Sequence, residues 1–191
     1  MAATLDATKK NAIARKLADM KVLQNLMITN EETLLKATTD SNKVTESLTN
    51  MLEDDRKSLT AIEEAITELE MSSEPSDTVT GMTETIKELM SGNTLDLYEK
   101  ILQHEGLKHQ LVMTGLLVHK SAQATDGILQ KLVDPINKAI FKNRAHQEQL
   151  KGAIYHYGVK QLVGKEPEDG IWAAAEDAIA GLKGAFGGLT E

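Results

Sequence analysis

The stretch HEGLKH, residues 104–109, resembles a zinc-protease box with one residue too many. An HExxH box sets two imidazoles four residues apart on one helical face, beside a Glu that serves as base. Here Lys108 stands where the second His would be. His104 and His109 are instead five residues apart, which turns them about 140° around a helix axis and prevents them from sharing an ion on one helix. Protease chemistry is excluded. Glu105 and His109, at i and i+4, do share a face, leaving one carboxylate and one imidazole to be accounted for.

Similar residues interrupt apolar stripes elsewhere. Gln24 and Glu31 break the run Ile13, Leu17, Met20, Met27, Ile28 and Leu35, and Asp55 stands between Leu52 and Leu59. Glu105 and His109 lie on the arc drawn by Tyr98, Leu102, Val112 and Leu116, and Asn143, His146 and Gln147 replace a full turn between Ile140 and Leu150. A buried polar group without a partner costs a few kcal/mol, so each interruption needs a reason. Counted from the turns between helices, the interruptions fall at similar heights. This predicts a metal site made of Glu31, Asp55, Glu105, His109 and His146, with Gln24, Asn143 and Gln147 orienting the ligands. Carboxylate mixed with imidazole suits iron, manganese or zinc, as one ion or as two with bridging carboxylates. The alternative is a metal-free layer of hydrogen bonds that fixes how the helices align. His104 is expected on a solvated flank, His119 near a helix end where the dipole suffices, and His156 facing away. Tyr98 and Tyr157 are read as core packing.

The elements that must hold these residues are helices. The 191-residue chain has no cysteine, three prolines and two phenylalanines, and is rich in Ala, Leu, Lys, Glu and Met, usage that favours helix over strand. Absence of cysteine excludes disulfide scaffolds and thiolate metal sites. Long helices are expected from about Asp6 to Thr39, Lys43 to Met71, Thr94 to Ala124 and Ile128 onward, with Asp134-Pro135 a kink or a fresh start. SSEPSD at 72–77 breaks the second helix, SGN at 91–93 closes a short lid helix, and a turn is expected at Thr125 to Gly127. The resulting expectation is an all-α, up-down four-helix bundle over residues 1–163, with a lid segment at 77–91. Residues 164–191 are read as a linker and a C-terminal fifth helix, with Ile171, Trp172, Ala175, Ile179, Leu182 and Phe186 on one face.

The stretches LYEKILQHEGLKHQLVMTGLLVHKSAQ and NRAHQEQLKG, with the long helices around them, resemble hemerythrin-like (HHE cation-binding) domains over roughly residues 5–163. That resemblance implies a four-helix bundle around a non-haem di-iron centre that handles oxygen, nitric oxide or iron. It extends by residue to Glu105, His109 and His146. The carboxylate-richer set also looks like ferritin-like di-iron proteins. The two expected helices from Asp6 to Thr39 and Lys43 to Met71 carry no His, which departs from the hemerythrin-like pattern.

Function is therefore expected to be iron handling, redox or oxidative-stress protection, or, without metal, a helical interaction scaffold. The formal net charge of -8 argues against nucleic acid and anionic membrane as partners. No apolar run approaches a membrane span and no signal peptide is visible, so a cytoplasmic protein is expected. A homo-oligomer or protein partner would meet the C-terminal helix.

Overall fold

The structure, a computed structural model, describes residues 7–125, 127–168 and 170–186, backbone only at 128 and 183–186. Six helices follow in order: α1 (Ala7–Ala37), α2 (Asn42–Glu68), α3 (Asp77–Ser91), α4 (Leu97–Gln123), α5 (Gly127–Val163) and α6 (Gly170–Phe186). Among the described residues there is no strand, and the chain is all-helical as expected. Asp6 at the expected first start, Asp126 in the expected turn and the Phe186 side chain lie outside the described residues. Pro135 proves to be inside α5 and not at a fresh start. It has no N–H to give the Lys131 carbonyl, and the helix continues through that loss.

Four of the helices bury seams with alternating steps of three and four residues. In α1 the seam is Ile13, Leu17, Met20, Gln24, Met27, Glu31 and Leu34; in α2 it is Val44, Leu48, Met51, Asp55, Ser58, Ile62 and Ala65. In α4 it is Ile101, His104, Lys108, Leu111, Gly115, Val118 and Ala122. In α5 it is Leu129, Val133, Ile136, Ile140, Asn143, Gln147 and Leu150. A 3.5-residue repeat keeps one face of each helix turned to its neighbours over its whole length.

Helix α1 packs on α2 and α4, and α5 packs on the same two. Helix α3 lies against α1 and α4, while α6 lies against α5. Ion pairs Lys21–Glu63 at 2.8 Å and Arg56–Glu32 at 2.9 Å join α1 to α2 with one residue number rising as the other falls, so the two run antiparallel. Gly115 brings α4 close to α5, since a Cβ there would stand 2.7 Å from Ile140 Cγ1. Gly152 likewise receives the Trp172 ring of α6.

Polar contacts fasten the connections. The Thr45 hydroxyl donates to the Thr38 carbonyl at 2.8 Å, and the Tyr157 phenol donates to Asp40 at 2.7 Å, tying the α1–α2 turn to α5. The Asp19 carboxylate, buried on α1, accepts the Ser76 N–H at 2.7 Å and pairs with Lys16 at 2.8 Å. This sets the path of the chain into α3. At the start of α4, Glu99 reaches back to the Asp96 N–H at 2.8 Å, half of a capping box.

The apolar interior is divided. One cluster holds Leu17, Met20, Met27, Ile62, Leu111, Val133 and Ile140 with their neighbours; the other holds Leu34, Leu48, Met51, Ile101, Leu150 and Tyr157 with theirs. Between the two the seams carry Glu31, Asp55, Lys108 and Asn143.

Candidate functional site

Each long helix contributes one or more polar side chains to the dividing layer. At its centre is Lys108 of α4, which is 0% exposed. Its ammonium donates to Asp55 Oδ2 at 2.7 Å and lies 2.8 Å from Glu31 Oε1. Asn143 Oδ1 at 3.2 Å and His146 Nδ1 at 3.3 Å complete its surroundings. Asn143 is itself held by donating to the Ala139 carbonyl at 2.9 Å. Since an ammonium only donates, His146 Nδ1 accepts, and its Nε2–H faces Asp54 Oδ2 at 3.3 Å. Lys142 reaches the same Asp54 oxygen at 3.0 Å. His104 lies beneath, with Nε2 3.2 Å from Glu31 Oε1.

Burial opposes the charge on Lys108, but Glu31 and Asp55 more than offset it and hold the ammonium above its ordinary range. Burial likewise raises both carboxyls, against the pull of Lys108. His104 is pushed down to about 3 by burial and by Lys108, and His146 to about 4 for the same two reasons. Both imidazoles are therefore neutral near pH 7. Asp54 is the reverse case: its hydrogen bond from His146, against burial, holds it well below the usual carboxylate range. Both ring nitrogens of His146 are committed, one to Lys108 and one to Asp54, so its geometry is that of a bridge and not of a free general base.

Glu105 and His109 are placed elsewhere. The Gln147 amide donates to Glu105 Oε1 at 2.7 Å and lies 3.3 Å from His109 Nδ1, on the α4–α5 flank. Glu105 is half-buried and His109 exposed. With Nδ1 accepting, the imidazole presents its Nε2–H to solvent. Thus Glu31, Asp55 and His146 come together around Lys108, and Glu105 with His109 form a separate group. Gln24 is buried two turns from Glu31 on α1 with neither amide atom partnered among the described residues.

Two expectations about α4 are corrected. His104, expected on a solvated flank, is fully buried, and Leu102, expected on the inward arc, is 47% exposed. The helix is turned by about one residue, roughly 100°, because its true seam contains His104, Lys108 and Gly115, which apolar periodicity does not register. Lys108 escapes apolar periodicity for that reason. Its signal was indirect: Glu31 and Asp55 at one buried height require a cation.

A divalent ion would need the place between Glu31 and Asp55 that the Lys108 ammonium holds, and the residues there do not fit a resident metal. Among the described residues no group of three or more His, Asp or Glu side chains could hold one.

No family model matches the chain, and no solved structure matches it. It is 48% identical over 187 residues, 98% of its length, to a DNA nickase of Nostoc sp. (strain PCC 7120). The chain spans about half, 53%, of that relative's length. This likeness overturns the expected iron-handling, redox or stress-protection role, and with it metal binding as the guiding idea. It also overturns the exclusion of nucleic acid as a partner. Net charge sums the whole chain and hides its distribution: α5 carries Lys131, Lys138, Lys142, Arg144, Lys151 and Lys160 against Asp134 and Glu148. No helix among the described residues is long and apolar enough to cross a membrane.

Proposed function

We propose that this chain is a helical module that works in DNA nicking. The observation that carries the reading is the identity with the Nostoc DNA nickase, which runs through 98% of the chain and so covers every helix described above. In this reading the module is an up-down four-helix bundle of the kind found in hemerythrin-like and ferritin-like domains, with the central layer built around Lys108. The layer's role is to hold the four helices at one height. DNA contact then falls to the outer faces, where α5 carries a basic surplus.

In nicking, water or a protein nucleophile bonds to the phosphorus of one phosphodiester while a P–O bond to a sugar breaks and the sugar oxygen leaves with a proton, a step that needs donors aimed at the phosphate oxygens. The exposed Nε2–H of His109, its ring held by Gln147, which in turn donates to Glu105, is one such donor. The lysines along α5 are others.

The test is incubation of the purified chain with supercoiled plasmid, with and without magnesium, scored for open circles on a gel. Open-circle formation above a heat-denatured control is the expected result. Absence of open circles under both conditions, at protein concentrations that saturate the plasmid, would overturn the reading.

A further inference from the structure

On the outer side of the charged layer, α2 and α5 leave a cavity of about 100 Å³ lined by Asp54, Lys57, Ser58, Lys138 and Lys142, with Pro135 at its border. A second hollow of about 360 Å³ adjoins it, shares Asp54, Lys57 and Lys142, and reaches His146 and Ile179 of α6. Together they form a trough along α5. Its two carboxylates are already engaged: Asp54 accepts from His146 and Lys142, and Glu53 lies 2.6 Å from Lys57. Lys138 has no carboxylate within ion-pair distance among the described residues. The trough therefore holds three ammoniums against two neutralised acids, with a cation to spare.

We propose that this α2–α5 trough is where the chain grips the DNA backbone, with Lys57, Lys138 and Lys142 each meeting a phosphodiester. The inference rests on the nicking reading and names the surface it uses. Lys138 and Lys142 are one helical turn apart, about 6 Å along the axis, so two flexible ammoniums can meet successive phosphates of one strand. An incoming phosphate shares Lys142 with Asp54, and Asp54 keeps His146 as donor, so the layer beneath need not rearrange. The trough faces away from α3, which packs on α1 and α4. Lys87 of α3 is therefore a basic residue on another face.

The experiment is fluorescence anisotropy of a labelled duplex titrated with the full chain across a salt series. Each phosphate contact contributes about 0.9 to the slope of log affinity against log salt. The Lys57→Ala/Lys138→Ala variant should lower that slope by about 2 and weaken binding about 50-fold at 0.1 M salt, whereas Lys87→Ala leaves both unchanged. An unchanged slope in the double variant, or an equal loss in Lys87→Ala, overturns the proposal. So does complete displacement of the duplex by millimolar orthophosphate at constant ionic strength, which would mark a free-phosphate site. Plasmid nicking separates the two readings. Trough-dependent binding without open circles leaves this inference standing and removes the nicking role, while nicking untouched by the double variant does the opposite.

Discussion

Two polar groups bridge α4 and α5 within a few residues of each other, built from the same kinds of side chain. Glu31, Asp55, Lys108 and His104 are sealed from solvent, while Glu105 and His109, both held by the buried Gln147, sit where water reaches them. The first must balance its charges internally, because an ion left unpaired in the interior costs several kcal/mol. In the second, Glu105 and His109 can exchange Gln147 for water, and each such hydrogen bond is worth about 1 kcal/mol. Residue type does not distinguish the groups. Burial does, and the difference sets where substitution is dangerous.

The largest effect should come from removing the central cation. Lys108→Met leaves Glu31 and Asp55 facing one another, and urea unfolding should show a loss of about 3–5 kcal/mol. Adding Glu31→Gln and Asp55→Asn to the same chain should recover at least half of that loss; no recovery would mean that Lys108 acts through packing of its stem and not through charge.

Acid titration sharpens the contrast at intermediate size. His104, about 3 in the fold against 6.5 free, is neutral when folded and takes up a proton on unfolding. Its contribution to stability is complete above pH 6.5 and is lost as pH falls from there toward 3. Glu31 and Asp55, raised in the fold, act in the opposite sense and gain as pH falls. His104→Gln should therefore reduce the drop in stability between pH 7 and pH 5 by on the order of 1–2 kcal/mol. An identical drop in wild type and variant would contradict the burial of a neutral imidazole.

The smallest effect belongs to the flank. His109→Ala should cost under about 1 kcal/mol in the same urea assay, and a loss as large as that of Lys108→Met would erase the distinction.

The helices were legible in the sequence because apolar spacing and turn residues agree at every break, from SSEPSD to the residues before α4. Heights were legible as well, since counting from the turns placed Glu31, Asp55 and His146 near one level, and their side chains meet there. Rotation was not. On α4 the outward side offers Leu102, Met113 and Leu117, all about half exposed, and the inward side offers His104, Lys108 and Gly115. With Ile101, Leu111 and Val118 also inward, hydrophobicity gives no clear direction along that helix. Lysine compounds the error, because its long aliphatic stem lets it cross an apolar core, while its charge marks it for the surface in any pattern argument.

The split interior carries a further consequence. Were one helix to slide by a full repeat, many of its greasy contacts would be replaced by equivalent ones, while at the level of Lys108 a carboxylate would meet hydrocarbon. The penalty for misalignment is thus concentrated in a single storey of the building. Above and below that storey, close approaches such as Gly115 on Ile140 aside, the lining can change without losing count.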